Sequence, residues 1–516
     1  MDLSHLLQSL LFFLVLTYLI VSFHGRKQSS NAVRSGFKSY PVVGFLPGFI
    51  KNRHRFLDWM TDVLVLQPTN TLVLRRPGDS DGIITADPMN IEHILKTNFG
   101  NYPKGDRFVS TLQDFLGEGI FISEGDQWKE QRKTASFEFS TKSLRNFVMD
   151  AVRFELSNRL VPLLDRAAGG EKKTVLDLQD MLERFAVDNV CKLAFDEDPG
   201  CLAGDGASRP HFVRAFDDAA NIVAARFMYS FQTLWKIKKF LNVGSERRLR
   251  ESIDAVHDFA TEIIRRRKEK LIIERDANAA GDGDLLSRFM ASHGESNEVA
   301  LRDMVVSFVL AGRDTTSSGL SWFFWVLSSR PDVEKNILSE IESVRGLHGT
   351  RPGETFGFEE LRDMHYLHAA ISEAMRLYTP VPFGSKECQE DETLPDGTFI
   401  RKGWFVSYSP YSMGRLERLW GPDCLSYRPE RWLEKGIFRA ESQFKYPVFH
   451  AGPRVCLGKE MAYIQMKSIA ACVVEMFEVE VLEKEKRPEF ILSLTLRMKG
   501  GLPVRVRRRS SSQSRD

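Results

Sequence analysis

Ten residues near the carboxyl end restrict what this chain can fold into more than any other stretch: Phe449-His450-Ala451-Gly452-Pro453-Arg454-Val455-Cys456-Leu457-Gly458. Cys456 stands immediately before a helical pattern, so a short loop must deliver its thiol to the start of a helix. Glycines at 452 and 458 permit a tight turn and close approach to a flat partner, and Arg454 places positive charge beside it. The thiolate is the metal-ligating form of cysteine, and nearby positive charge favours it. A lone cysteine in a large chain is ordinarily a small, inert core residue. The residues around Cys456 point instead to an axial ligand for the iron of a haem, where thiolate ligation favours cleavage of the dioxygen bond.

The spacing of Phe449, Gly452, Arg454, Cys456 and Gly458 resembles the haem-binding signature of the cytochrome P-450 superfamily of haem-thiolate monooxygenases. Two more elements follow that family's order: Glu373 with Arg376 as Glu-x-x-Arg, and Pro429 to Trp432 as Pro-Glu-Arg-Trp. By themselves Glu373 and Arg376 are a helical i, i+3 ion pair worth about 0.3 kcal/mol. The resemblance implies a buried triad with Arg431 beneath the haem, structural in role. A carboxylate between two guanidiniums has the geometry that a buried charge cluster needs. The resemblance also implies a mostly α fold with minor β, the P-450 prism, preceded by an N-terminal transmembrane helix. In that prism haem b lies between a long central helix and the helix after Cys456, with Cys456 as the metal ligand. NADPH would contribute only indirectly, through NADPH-cytochrome reductase, a flavoprotein partner.

The chain has 516 residues, 43% of them hydrophobic, and length alone would allow two to four domains. The resemblance implies one catalytic domain over residues 40–507. With 71 basic and 69 acidic residues the net charge is +2, so no nucleic-acid partner is expected. Six cysteines are scattered without paired metal-ligand spacing, which suits a reducing, cytosol-facing environment. From Leu6 to Phe23 eighteen uncharged residues just reach the length of a bilayer crossing. The residues before this run are not basic and no small-residue cleavage site follows it, so 1–24 is expected to be an uncleaved single-pass anchor in membrane lipid. Arg26, Lys27, Arg34 and Lys38 outnumber the positive charges on the amino-terminal side and put the catalytic domain in the cytosol. By resemblance the membrane is that of the endoplasmic reticulum. Residues 25–39 are expected to be a linker, Pro41 to Gly48 an ordered turn region, and 508–516 a disordered tail.

Apolar periodicity predicts helices over Leu144 to Leu164, Val175 to Phe195, Arg247 to Glu274, Leu301 to Ser328 and Lys459 to Phe477. Leu72 to Arg75 and Gly82 to Thr85 have the pattern of short strands, and Asp396-Gly397 that of a hairpin turn before Phe399.

Inside the apolar stretch Met304 to Leu327, a glycine and a charged pair interrupt the helix in Ala311-Gly312-Arg313-Asp314-Thr315-Thr316. Each costs helix or burial energy, and such local conflicts mark function. The resemblance makes this the oxygen-activation stretch, with Gly312 approaching haem and Asp314 and Thr315 as the catalytic proton relay. A hydroxyl that both donates and accepts suits that task beside a titratable carboxylate. Trp128 and Arg132 lie at i, i+4 on one helix face, and the family places such a pair against the haem propionates, with Arg454 joining them and His450 as a further candidate. The expected cofactor-binding set is thus Cys456, Arg454, Trp128, Arg132, Gly312, Phe449 and Gly452. One departure stands out: where many relatives carry an arginine after the Glu-x-x-Arg helix, this chain has Lys386, which supplies charge but no bidentate fork.

Longer strings, among them Asn98 to Gly105 and Gly458 to Ser468, resemble the plant omega-hydroxylase branch related to fatty-acid omega-hydroxylases. The resemblance implies hydroxylation of a terminal methyl on a hydrophobic small molecule: a fatty acid, a sterol side chain on a steroidal saponin or alkaloid route, or a jasmonoyl amino-acid conjugate. By family position the pocket would be lined by Ser110 to Phe121, Phe308, Ala311, Thr315, Val381 to Gly384 and Leu492 to Leu496. A haem-thiolate hydroperoxide isomerase or dehydratase would share Cys456 and Glu373-Arg376, and Asp314-Thr315 argue against it. A non-enzymatic haem-binding membrane protein would need neither. Trp235 to Leu241 mixes apolar and basic residues in a way that suits a bilayer surface.

Overall fold

A computed structural model describes residues 46–74, 81–140, 142–170, 174–203, 210–229, 232–276, 284–293 and 297–509. The expected anchor, the linker, Pro41, Gly44 and the last seven residues of the tail lie outside these. Among the described residues no helix is long and apolar enough to cross a membrane. Pro47 and Gly48 belong to a helix, Leu46–Asn52, and not to a turn.

The fold is mostly helical with small sheets, as expected. Seven helices position the site: α1 (Asp106–Leu116), α2 (Gly125–Ser140), α3 (Leu178–Phe195), α4 (His211–Arg226), α5 (Glu298–Leu327), α6 (His365–Leu377) and α7 (Lys459–Met476). Strands β1 (Thr71–Leu74), β2 (Gly82–Thr85), β3 (Gly384–Glu387) and β4 (Phe405–Tyr408) make one sheet in the order β1-β2-β4-β3, with only β2 and β4 parallel. Strands β5 (Phe490–Leu492) and β6 (Leu496–Met498) form a hairpin. Gly397, at φ +85°, makes the expected turn between Glu392–Thr393 and Phe399–Ile400.

Helix ends depart from periodicity where strands compete for the same residues. Helix α3 begins at Leu178 because Leu176 and Asp177 pair with Val504 and Pro503, and the Asp177 side chain then caps the helix through Asp180 N at 3.3 Å. Phe477 leaves α7 for a strand that pairs with Arg508, so the ordered chain continues past residue 507. Arg509 still donates to Val474 O at 2.9 Å.

Helix α5 is apolar on nearly all sides, as a buried helix must be. Its amino-terminal half, Leu301 to Leu310, packs into one hydrophobic core with α1 and α4. Its carboxyl-terminal half, Leu320 to Leu327, packs into a second core with α6, α7 and the four-stranded sheet. The interrupted stretch 311–316 therefore falls at the seam between the two cores.

Candidate active site

The cysteine loop is pinned from three directions. Gly452 adopts φ +66°, and a Cβ there would lie 2.0 Å from Leu95 O, so only glycine lets the loop lie flush on the segment His93–Thr97. Cys456 N donates to Phe449 O at 2.8 Å, and Val455 N to Gly452 O at 3.0 Å. From α2, Arg132 donates to Val455 O at 2.6 Å. Gly458 takes an ordinary φ of −84°, so the conformational demand rests on Gly452 and not on both glycines.

All six cysteines are free; five are buried and Cys456 alone is exposed. Protein nevertheless encloses its sulfur: burial raises the thiol's pKa, while the Gly458 N–H, Arg132 and Lys459 lower it.

Above the loop, the Arg454 guanidinium lies 4.3 Å from the Trp128 ring and donates to Ser123 O at 2.8 Å and Glu124 at 2.7 Å. Trp128 and Arg454 are thus brought together, whereas Arg132 sits on the Val455 carbonyl. Phe449 packs its ring 5.3 Å from Tyr463.

Next to Arg454 is a group of basic side chains, with Lys386 buried and Lys104 and His450 half-buried. Lys386 Nζ, on β3, is buried with no hydrogen-bond partner, 5.2 Å from the Phe99 ring. Burial, then repulsion from Lys104 and Arg454, pushes its pKa well down. Burial and Arg454 likewise push Lys104 down to about 7. His450 is pushed to about 3 by burial and then by Lys104, Lys386 and Arg454; its Nδ1 is 2.9 Å from the Tyr408 hydroxyl. Glu124 offsets part of this at Lys104 and Lys386. A buried ammonium without an acceptor is costly unless an anion meets it. The two propionates of a haem would, so the residues present fit that group: an open thiol, a glycine cradle and an orphaned ammonium. Sequence reasoning missed Lys104 although it lies in the string Asn98 to Gly105.

Opposite in role is the stretch on α5. Ala311, Gly312 and Thr315 are only partly covered on a helix otherwise buried here, and their spacing puts them on one face. Thr315 Oγ1 donates to Ala311 O at 2.7 Å. A Cβ on Gly312 would lie 2.6 Å from Val190 Cγ2 of α3, so this glycine admits a neighbouring helix. Arg313, wholly buried, pairs with Asp314 at 3.0 Å and with Glu183 at 3.3 Å, and also with Asp217.

Beneath the site Glu373 is fully buried on α6 and takes both Arg376 nitrogens at 2.7 Å and Arg431 at 3.2 Å, as the structural triad requires. Trp432 Nε1 at 2.9 Å and Arg428 N at 3.1 Å complete its acceptor capacity.

A protein-family model described as Cytochrome P450 matches residues 35–502. Cytochrome P450 CYP94D108 of Paris polyphylla is 53% identical over 469 residues, 90% of this chain and 91% of its own length. Cytochrome P450 94A1 of Vicia sativa is 44% identical, covering 92% of this chain and 91% of its own. Cytochrome P450 94B1 of Arabidopsis thaliana is 45% identical, covering 100% of this chain and 99% of its own.

Proposed function

Since this chain belongs to the cytochrome P-450 family and is a haem-thiolate monooxygenase of its plant branch, we propose that it hydroxylates the terminal methyl of an aliphatic chain, on a fatty acid or a sterol side chain. A thiolate-ligated haem, when bound, supplies activation of dioxygen, with one oxygen atom entering the C–H bond and the other leaving as water on two electrons from a reductase and two protons.

The chain's own residues hold and supply that chemistry. Cys456 offers the iron ligand, with its loop fixed by Arg132 and by the Phe449 and Gly452 carbonyls. Lys104, Lys386 and Arg454 supply the positive charge that propionates require. Thr315 Oγ1 donates a hydrogen bond to Ala311 O; turned toward the open face of α5, it passes a proton there, and Asp314, the adjacent acid in the chain, resupplies it.

The observation that supports the terminal position is the apolar share of the partly covered side chains in the expected pocket segments: Ile120, Phe121, Ala311, Val381, Phe383 and Leu494, with Ser110, Asp114, Thr315 and Ser493 as polar members. A primary C–H bond is stronger than its neighbours, so the walls must hold the end methyl and exclude the next carbon. An aromatic row of Phe49, Phe56 and Phe383, with ring centroids 5.6 and 5.8 Å apart, supplies rigid wall material. Membrane lipid is the expected surface partner, with residues 1–24 as the endoplasmic-reticulum anchor and a cytosolic catalytic domain. The helix Gln232–Leu241 supports this: Leu234, Ile237, Phe240 and Leu241 are exposed beside Lys236, Lys238 and Lys239.

The test reconstitutes the enzyme with a reductase and NADPH and offers a long-chain fatty acid, a sterol with a free side chain and a jasmonoyl conjugate. Product positions are assigned by mass spectrometry. Hydroxyl at the terminal carbon of one of the first two is expected. Predominant in-chain or ring hydroxylation would overturn the terminal reading.

A further inference from the structure

Between α1 and α2 the chain crosses from α5 to the cysteine loop, and it is fastened at both ends. At the start Glu118 N donates to Asp303 Oδ2 of α5 at 2.9 Å, and Gly117, at φ +56°, admits no side chain, since a Cβ would lie 1.9 Å from that same oxygen. At the end Arg454 of the cysteine loop donates to Ser123 O at 2.8 Å and to Glu124 at 2.7 Å. Ile120 and Phe121, two of the apolar side chains of the expected pocket, lie between these fastenings. The closest approach is at Gly119, where a Cβ would lie 2.1 Å from Ser307 Oγ, with the next atoms, Asp303 O and Leu116 O, at 3.1 Å. The φ of Gly119 is not in the left-handed region, so the Ser307 hydroxyl and not the backbone excludes a side chain. Ser307 is fully buried and its Oγ has no hydrogen-bond partner, whereas Ser317 and Ser321 on the same helix each bond the carbonyl four residues back at 2.7 Å. Gly119 O accepts both Ile122 N and Ser123 N at 3.0 Å, which makes 119–123 one closed turn that moves with Gly119.

We infer that Gly119, seated on Ser307, is a positioning residue for substrate selectivity: it sets how near the turn bearing Ile120 and Phe121 stands to α5, and so which carbon of the substrate chain is oxidised. The inference rests on the proposed pocket and its terminal hydroxylation. Ser307 and Ala311 are four residues apart and lie one above the other on the same face of α5, so the seat is one helical turn from the oxygen-activation stretch. Protein interiors are close-packed, so a methyl group at 119 pushes the turn about 1 Å off α5 before the contact becomes an ordinary one. A misplacement of about 1 Å is worth up to about 100-fold in a positioned reaction. Here it widens the gap beside Ile120 and Phe121 and admits the carbon next to the end methyl. A seat that served packing alone would cost stability or haem when disturbed and leave the position of the product unchanged.

The experiment is a double-mutant cycle on the full-length, reductase-reconstituted holoenzyme, supplied in parallel with a long-chain fatty acid and a sterol with a free side chain. It is read as the ratio of terminal to in-chain alcohol by mass spectrometry, with the red-shifted Soret band of the reduced, carbon-monoxide-bound protein as the check on haem. Gly119→Ala should keep the band and lower the ratio about tenfold. Adding Ser307→Ala removes the hydroxyl 2.1 Å from the new Cβ and breaks no hydrogen bond. The double variant should therefore return to within about twofold of the unmutated ratio. An unchanged ratio in Gly119→Ala, or a lowered ratio that Ser307→Ala does not restore, would overturn the inference. Should Gly119→Ala lose its haem, Ser307→Thr adds a methyl group from the α5 side of the same contact and should lower the ratio in the same direction; an unchanged ratio there would overturn the inference too. In-chain alcohol as the main product of the unmutated enzyme would sink the terminal reading instead, and the shift between variants would still decide the role of Gly119.

Discussion

Two charge groups flank the site, and they are paired to different degrees. Beside the cysteine loop, Lys104, Lys386 and Arg454 share Glu124, a surplus of basic groups in which the buried Lys386 Nζ has no hydrogen-bond partner. On α5 and its neighbours, Arg313 and Arg497 meet Glu183, Asp217 and Asp314 from three helices and a strand. A buried ammonium left unmet is costly, so the first group suits a resident dianion, the propionates. The second group is paired within the chain. On the proposed reading the loop wall secures the cofactor, while the helix wall, through Thr315, delivers protons.

The sharpest break of this division is Cys456→Ser. A serine hydroxyl stays neutral where a thiolate binds iron, so the red-shifted Soret band of the reduced, carbon-monoxide-bound protein should vanish completely. A variant that kept the band would remove Cys456 from the loop wall's role.

Next in size is Glu373→Ala. It leaves the fully buried Arg376 without a carboxylate and takes an acceptor from the buried Trp432 N–H, while Arg431 keeps Asp423, and breaking such a group costs about 3–5 kcal/mol. The denaturation midpoint and the yield of haem-bound protein should both fall. An unchanged midpoint would mean that the frame beneath both walls does not depend on this carboxylate.

Smaller, but specific to the positive surplus, is the pH dependence of the haem-free polypeptide. Lys104 is lowered from 10.5 to about 7 by burial and by Arg454, so the unfolded chain holds this proton more tightly than the folded one. Stability should therefore rise with pH from about 7 to about 10, and be flat below that window so far as this group is concerned. Lys104→Met should flatten the rise in denaturation midpoint across that range. A slope identical in the variant would remove Lys104 from the surplus.

The two walls were not equally legible in the sequence. The cysteine loop is contiguous, so its resemblance to a family signature could name a candidate ligand and its arginine from the sequence. Its anchor was not legible, because Gly452 is demanded by Leu95 O, which lies far away in the chain. Lys386 stood out as a departure, but Lys104 did not, since its burial comes from residues brought together only by folding. On α5 the conflict of glycine and charge inside an apolar run singled out the stretch, but not the neighbours that explain it. The reasons differed: Gly312 makes room for Val190, and the partners of Arg313 come from α3 and α4, which periodicity cannot pair. The same non-local pairing moved the ends of α3 and α7, where Asp177 and Phe477 went to strands.

The central claim, that the loop wall holds the cofactor while the helix wall delivers protons, is tested most directly by one ratio: product formed per NADPH consumed in Thr315→Ala. The account predicts an intact red-shifted Soret band with a ratio lowered about tenfold or more and peroxide rising to match. An unchanged ratio with the band intact would contradict it.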